Sequence, residues 1–236
     1  MKPTVILVHG AFAESASWDG VIDPLREAGH PVIAAANPLR SVAGDAAAVA
    51  DVVRTVEGPV VLVAHSYGGM VISNVDPAAG DIVGLVYAAA FAPDAGEDAI
   101  GLSEKFPGST LGAALRPIPN GDGTTDLTIA QDRFHQQFCA DVAVDVARRM
   151  AVTQRPATQE ALSEASGEPL WKQVPSWFLI AAEDRNIPAE LQRFMAERAD
   201  ARRTVTIEGS SHAISVSNPE ATAELVLEAA TVPVAA

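Results

Sequence analysis

The chain has 236 residues, 48% of them hydrophobic, and its 30 Asp and Glu against 16 Lys and Arg give a formal net charge of −14 at pH 7. This length and apolar content suffice for one domain with a large core. An acidic surface argues against nucleic-acid and anionic-membrane partners, which need basic patches, and favours a soluble monomer or small homo-oligomer. The single cysteine, Cys139, excludes an intrachain disulfide and a multi-cysteine metal site.

The first apolar run bears on where the protein resides. It covers only residues 4–8 after Lys2 and Pro3, which is too short for the apolar region of a signal peptide. No stretch approaches the length of a membrane span. We therefore expect a cytoplasmic protein with no membrane partner.

Continuous apolar runs alternate with helical patterns along residues 1–92 and again along 176–236. The runs predict strands at 4–8, 32–35, 60–64, 82–88, 176–182 and 204–207. The helical patterns occupy 17–28, 43–56, 67–75, 189–199 and 219–230. Strands that are apolar throughout need cover on both faces, as in a parallel sheet. The pattern predicts an α/β fold with a doubly wound, mostly parallel sheet of about six strands and helices on both faces.

The first strand leads directly into the loop His9-Gly10-Ala11-Phe12. In acyl transfer, two rigidly held backbone N–H groups stabilise the negative oxygen of the tetrahedral intermediate. Gly10 allows a close backbone approach. We predict that the N–H of Phe12 is one such donor, and that Ala11 and Phe12 contact substrate. Taken alone, without the other motifs, this loop is better explained as an ordinary turn at the end of a strand.

The third strand ends in Ala64-His65-Ser66-Tyr67-Gly68. A serine on a tight strand-to-helix turn tolerates only small neighbours, and its hydroxyl stands clear at the helix N-terminus. The usual pattern is Gly-x-Ser-x-Gly, and Ala64 in place of the first glycine adds one methyl group. Ser66 is thus the candidate nucleophile, and the N–H of Tyr67 is the second predicted oxyanion donor. His65 should point away from Ser66, which indicates a structural role.

An acid and a histidine follow two later strands. The strand at 176–182 runs into Glu183-Asp184-Arg185-Asn186-Ile187-Pro188, and the strand at 204–207 leads to His212. Serine, acid and histidine in this chain order are typical of one serine-hydrolase fold and differ from the orders of chymotrypsin and subtilisin. Neighbours at a strand end point in opposite directions, so only one of Glu183 and Asp184 can orient His212.

Together these motifs resemble the α/β-hydrolase fold family over nearly the whole chain. Within that family the chain is similar to small esterases related to plant methylesterases and hydroxynitrile lyases, and to compact bacterial esterases. The family motif Asp-Arg-x-Ile-Pro falls on 184–188, so the resemblance implies Asp184 as the acid. It further implies that His212 takes the proton of Ser66, that an acyl-enzyme forms, and that no metal or cofactor takes part.

Residues 93–175 interrupt the alternation, and we call them the cap segment. Pro and Gly punctuate 106–108 and 116–123, helical patterns occupy 128–138, 141–152 and 158–165, and no buried-strand run appears. An insertion at this position resembles a helical cap that closes over a core formed by 1–92 and 176–236, with a cleft between them. The apolar residues of the cap segment are candidates for the pocket lining, and we predict that Trp171 contacts substrate. The candidates are Leu102, Phe106, Leu111, Leu115, Phe134, Phe138, Met150, Leu162 and Trp171.

The sequence predicts a serine hydrolase that cleaves small carboxylic esters. Ser66 argues against dehalogenases and epoxide hydrolases of this fold, which carry aspartate there. Ala213 argues against the hydroxynitrile lyases, which carry lysine after the histidine. An acyltransferase or perhydrolase using the same acyl-enzyme, a cofactor-free oxygenase, and a small-molecule receptor with little turnover remain open.

Overall fold

The computed structural model describes residues 1–231. Its strands are β1 (Thr4–Val8), β2 (Val32–Ala35), β3 (Pro59–Ser66), β4 (Asp81–Ala90), β5 (Leu115–Pro119), β6 (Thr125–Ile129), β7 (Ala157–Thr158), β8 (Ser176–Ala181) and β9 (Arg203–Ile207). Its helices are α1 (Asp19–Glu27), α2 (Val42–Arg54), α3 (Gly68–Ser73), α4 (Ala99–Glu104), α5 (Leu111–Ala114), α6 (Gln131–Phe138), α7 (Val144–Thr153), α8 (Gln159–Ser163), α9 (Ala189–Arg198), α10 (Ile214–Ser217) and α11 (Pro219–Ala229). Among these helices none is long and apolar enough to cross a lipid bilayer.

The main sheet has six parallel strands in the order β2-β1-β3-β4-β8-β9. This confirms the predicted α/β fold with its six-stranded parallel sheet. Side chains alternate across β1, so that Val5 and Leu7 join one apolar cluster while Ile6 and Val8 join the other. Both faces of β1 are therefore buried, which is why this strand is apolar throughout, whereas the edge strand β9 alternates Thr with apolar residues and is partly exposed.

Helices cover each face of the sheet. On one face α1 and α11 pack around Trp18, and on the other α2, α3 and α9 contribute Val49, Met70 and Leu191. The strands are parallel, so the carboxyl ends of β1, β3, β8 and β9 meet at one edge. The loops that carry the predicted motifs all leave the sheet at this edge.

The cap segment is less helical than the sequence predicts. It holds helices α4 to α8, but it also contains a three-stranded antiparallel sheet in the order β5-β6-β7. Most of β5 is exposed, and it includes Pro117 and Pro119, so no buried apolar run reveals it. The helix expected from residue 128 begins only at Gln131, because Thr128 and Ile129 pair with β5.

The turn from β3 to α3 is packed against its neighbours with almost no free space. Ser66 has φ +54, in the left-handed region. The N–H of Phe91, just beyond β4, donates to the Ser66 carbonyl at 3.1 Å. A Cβ atom built on Gly69 would lie 1.9 Å from the carbonyl oxygen of Phe91. Only glycine therefore fits at position 69 without displacing β4.

We predict that Gly69→Ala destabilises the fold by about 3 kcal/mol or more, because its methyl group would overlap backbone rather than a movable side chain. Urea unfolding monitored by circular dichroism measures the change. The matched control is Gly112→Ala in helix α5, where an added Cβ meets nothing within 4 Å and should be neutral or slightly stabilising. Equal stability of the two variants would contradict this account of the turn.

Candidate active site

Ser66, Asp184 and His212 lie at the shared edge of the sheet. Ser66 is the last residue of β3, while Asp184 and His212 lie in the loops after β8 and β9. Ser66 and His212 line one cavity of about 670 Å³ under the cap segment. The three predicted residues, of which Ser66 precedes Asp184 by more than one hundred positions, are thus brought to one place.

The Asp184 carboxylate is buried and fully hydrogen-bonded. Its Oδ2 accepts from His212 Nδ1 at 2.7 Å and from Gln192 Nε2 at 3.0 Å. Its Oδ1 accepts from the backbone N–H groups of Asn186 at 2.7 Å and Ile187 at 3.0 Å. These bonds fix the carboxylate, and because its oxygens only accept, Nδ1 of His212 is a ring nitrogen that carries a proton. Of the two adjacent acids, Asp184 contacts the histidine, whereas Glu183 is exposed.

The Nε2 atom of His212 is therefore the nitrogen free to accept a proton. In residues 1–231 no hydrogen bond joins it to the Oγ of Ser66. Such contacts are often long in substrate-free sites and shorten when substrate binds.

His65 packs against the ring of His212 and hydrogen-bonds its backbone. Its Nε2 donates to the His212 carbonyl oxygen at 2.9 Å, and the two ring centroids are 4.6 Å apart. Complete burial holds the pKa of His65 well below its usual value, so the ring is neutral. The sequence indicated a structural role for His65, but the group that it holds is 147 positions away and no local pattern reveals it.

His9 fixes the loop that faces Ser66. The N–H of Asn37 donates to His9 Nε2 at 3.1 Å, so the proton of the neutral ring sits on Nδ1, which lies 2.9 Å from the Gly10 carbonyl oxygen. Burial lowers the pKa of His9 to about 4. A Cβ on Gly10 would lie 2.5 Å from the Cβ of Ser66, so the loop approaches the serine as closely as glycine allows.

The backbone N–H predicted as an oxyanion donor in this loop is already in use. Phe12 has φ +61, and its N–H donates to the carbonyl oxygen of Arg155 in the cap segment at 3.1 Å. Within residues 1–231, the N–H groups of Ala11 and Tyr67 have no acceptor, and both residues line the cavity. The motif alone could not distinguish Ala11 from Phe12, because the choice depends on a contact with residue 155.

A buried acid, Asp45, lies next to the turn that carries the serine and was not predicted from the sequence. The hydroxyl of Tyr67 donates to Asp45 Oδ2 at 2.9 Å, and the backbone N–H of Arg40 donates to Oδ1 at 3.1 Å. Burial raises the pKa of Asp45, and chiefly burial raises the pKa of Tyr67. The bond holds the side chain of Tyr67 against α2, and the residue itself lines the cavity. No motif surrounds Asp45 that could have indicated this.

The cavity wall includes part of the apolar set named from the sequence. Ala11 and Phe12 line it, and four of the cap candidates do so as well: Phe106, Leu111, Leu115 and Leu162. The others lie away from it, and Trp171 is the clearest correction. Its indole N–H donates to the Pro93 carbonyl at 2.7 Å, so this side chain anchors the base of the cap segment instead of lining the pocket.

Neither a metal site nor a reactive thiol is found in this part of the chain. Among residues 1–231, no three His, Cys, Asp or Glu side chains are grouped so that they could hold a metal ion. Burial raises the pKa of Cys139 to about 12, so its thiol stays protonated at neutral pH.

Several known proteins resemble this chain in sequence or in fold. Residues 5–225 match the family model described as the alpha/beta hydrolase family. The alpha/beta hydrolase nvfD of Aspergillus novofumigatus is 24% identical over 257 residues, which cover 98% of this chain and 97% of that protein. The crystal structure of polyneuridine aldehyde esterase superposes on this chain with a TM-score of 0.82 at 19% sequence identity. The match covers 97% of this chain and 99% of the esterase chain. A pyrethroid hydrolase from Sphingobium faniae has a TM-score of 0.77 at 21% identity, covering 98% of each chain.

The neutral, buried His9 makes stability depend on pH. Between pH 6.5 and about 4 the unfolded chain takes up a proton at this ring and the folded chain does not, so stability falls as pH falls. The variant His9→Gln keeps an acceptor for Asn37 but cannot titrate. We predict that its free energy of unfolding falls by roughly 3 kcal/mol less than that of the parent protein between pH 7 and pH 4. Urea unfolding at pH 7 and pH 4 measures the loss in both proteins. Equal losses would contradict the assignment, since His65 remains in both.

Proposed function

The chain belongs to the alpha/beta hydrolase family, and on this basis we propose that it is a serine hydrolase that cleaves small carboxylic esters through an acyl-enzyme. One observation supports this proposal most strongly. A buried Asp184–His212 pair, joined at 2.7 Å, opens into the same cavity as Ser66, whose backbone is held at φ +54. A nucleophile, a base and an orienting acid are the three groups that acyl transfer requires.

The reaction follows from the roles of these three side chains. Nε2 of His212 takes the proton of Ser66 as Oγ attacks the ester carbonyl. Asp184 keeps the proton on Nδ1 and stabilises the imidazolium that forms. His212 then gives its proton to the departing alcohol oxygen, which leaves the acyl group on Ser66. Water, activated by the same histidine, releases the acid and restores the serine.

The negative oxygen of the tetrahedral intermediate needs fixed donors. We assign this role to the backbone N–H groups of Tyr67 and Ala11, because that of Phe12 donates to Arg155. Each such donor is typically worth about 3 to 4 kcal/mol of transition-state stabilisation. The bonds from Tyr67 to Asp45 and from His9 to Gly10 support these two donors from outside the cavity.

The cavity wall supports a small, uncharged ester as substrate. No Lys or Arg of residues 1–231 lines it, and Glu104 is the only carboxylate on the wall. An acid group on the substrate would therefore find no cation to pair with. Two proteins with the same fold, polyneuridine aldehyde esterase and a pyrethroid hydrolase, are hydrolytic enzymes, which supports hydrolytic chemistry here.

We predict that Ser66→Ala keeps the fold but lowers kcat by roughly 10⁴-fold or more, because the acyl-enzyme can no longer form. A series of p-nitrophenyl esters of increasing acyl length measures turnover. Intact-mass spectra after treatment with a fluorophosphonate should show one adduct in the parent protein and none in the variant. Labelling of another serine, or normal turnover by the variant, would overturn the assignment of Ser66.

The same assays separate the other activities that this fold can carry. Release of acyl product over several turnovers supports the hydrolase. Capture of one equivalent without product release would instead indicate a receptor. Cyanide release from mandelonitrile at a rate matching ester cleavage would indicate a lyase, and acyl transfer to an added alcohol or peroxide in preference to water would indicate a transferase or perhydrolase.

The acid is tested by two adjacent substitutions. Asp184→Asn should lower kcat by roughly 10⁴-fold, because an amide no longer holds His212 in the required tautomer. Glu183→Gln, the matched control, changes an exposed side chain and should have little effect. Thermal melts of both variants check that the buried carboxylate's loss has not unfolded the protein. A larger defect in Glu183→Gln would transfer the role to that residue.

A further inference from the structure

Asn186 combines burial, an unused donor group and a place on the cavity wall. The residue is only 2% exposed and lines the cavity together with Ser66 and His212. Its backbone N–H donates to Asp184. Its side-chain Nδ2 is buried, and among residues 1–231 it has no acceptor. A buried amide donor left unpaired costs free energy, so an acceptor from outside the chain is expected there.

The orientation of this amide is fixed by its neighbours. Nε2 of Gln137 donates to the carbonyl oxygen of Arg185 at 3.0 Å, and a carbonyl oxygen can only accept. Oε1 of Gln137 accepts from the hydroxyl of Thr110 at 2.9 Å. The atom of Asn186 that lies 2.8 Å from Gln137 Nε2 must therefore be the acceptor, Oδ1. Asn186 consequently keeps both of its amide hydrogens unused.

Three other donors near the serine are already committed, those of buried Tyr67 and His212 and of half-buried Ser103. The hydroxyl of Tyr67 donates to Asp45, and Nδ1 of His212 donates to Asp184. The hydroxyl of Ser103, on the cap side of the cavity, donates to the carbonyl of Ala99 at 2.8 Å. Among residues 1–231, Asn186 is thus, apart from Ser66 itself, the fully buried side chain on this wall whose donor hydrogens are free.

We propose that Asn186 is a substrate-binding residue whose amide donates to a second oxygen atom of the ester, beyond the reacting carboxyl group. This inference rests on the proposed ester hydrolysis and names its substrate class. The class is esters that carry an ether, keto or hydroxyl oxygen in the acyl or the alcohol part. A plain alkyl ester of the same size leaves the amide unpaired and loses that hydrogen bond.

Matched pairs of esters that differ by one oxygen test the proposal. Two pairs probe the acyl part: p-nitrophenyl methoxyacetate against butanoate, and 3-methoxypropanoate against pentanoate. A third pair, 2-methoxyethyl against butyl butanoate, probes the alcohol part. For each pair the ratio of kcat/KM values, oxygen over methylene, is divided by the same ratio for hydroxide-catalysed hydrolysis. This correction removes the difference in intrinsic reactivity.

In the parent protein the corrected ratio should exceed one in at least one pair, and the pair shows which part of the ester reaches Asn186. Asn186→Leu and Asn186→Ala should lower that ratio by roughly 2- to 12-fold, the range expected for one neutral hydrogen bond. The matched control Ser103→Ala should leave the ratio unchanged, since its hydroxyl hydrogen is already used.

Three results would overturn the proposal. The first is a corrected ratio of one or less in every pair with the parent protein, a measurement that needs no variant. The second is an equal fall for both esters of a pair in the Asn186 variants, which would mean that the residue acts only by positioning Asp184. The third is the absence of both turnover and fluorophosphonate labelling in the parent protein, which would refute the hydrolase assignment and this inference with it.

Discussion

The structure depends above all on the close approach of three backbone segments at Ser66. The serine is held at φ +54, a conformation that costs of order 1 to 3 kcal/mol. Gly10 on one side and Gly69 on the other let the loop after β1 and the end of β4 pack directly against it. This packing is what keeps the strained turn in place. It also brings together, around one hydroxyl group, loops that leave four different strands.

Around this turn lies a layer of buried polar residues that hold backbone carbonyls and one side chain of the site in place. His9 contacts the carbonyl of Gly10, His65 holds the carbonyl of His212, and Asp45 holds the phenol of Tyr67. Burial keeps both of these histidines neutral, so neither competes with His212 as a charged group in the cavity. The rigidity of the site therefore comes from residues that have no contact with substrate in the proposed reaction.

The sequence predicts well whatever depends on a local pattern. Apolar runs identified five of the six strands of the parallel sheet, because most residues of such strands are buried. The sixth strand, β9, was identified from the alternating Thr-Val-Thr-Ile of residues 204–207, and as an edge strand it is partly exposed. Prediction from the sequence failed where a long-range contact decides the outcome. The exposed, proline-containing β5 is a strand only through its pairing with β6. Trp171 lies outside the pocket, where its indole N–H donates to the carbonyl oxygen of Pro93. Likewise, the N–H of Phe12 donates to the carbonyl oxygen of Arg155, and no pattern within the loop could have indicated this bond.

The hydrogen bond between Phe12 and Arg155 limits how freely the cap segment could be exchanged. The cap segment also reaches the core through the carbonyl of Phe138, which accepts from the N–H of Ala213 next to His212. Exchanging the cap for that of a relative, to transplant its selectivity, would thus remove two backbone acceptors from loops on either side of Ser66. An exchange of the cap segment that alters substrate selectivity would for this reason also alter catalytic rate. A cap acquired by recombination would have to restore the acceptors for Phe12 and Ala213 before selection could act on its pocket.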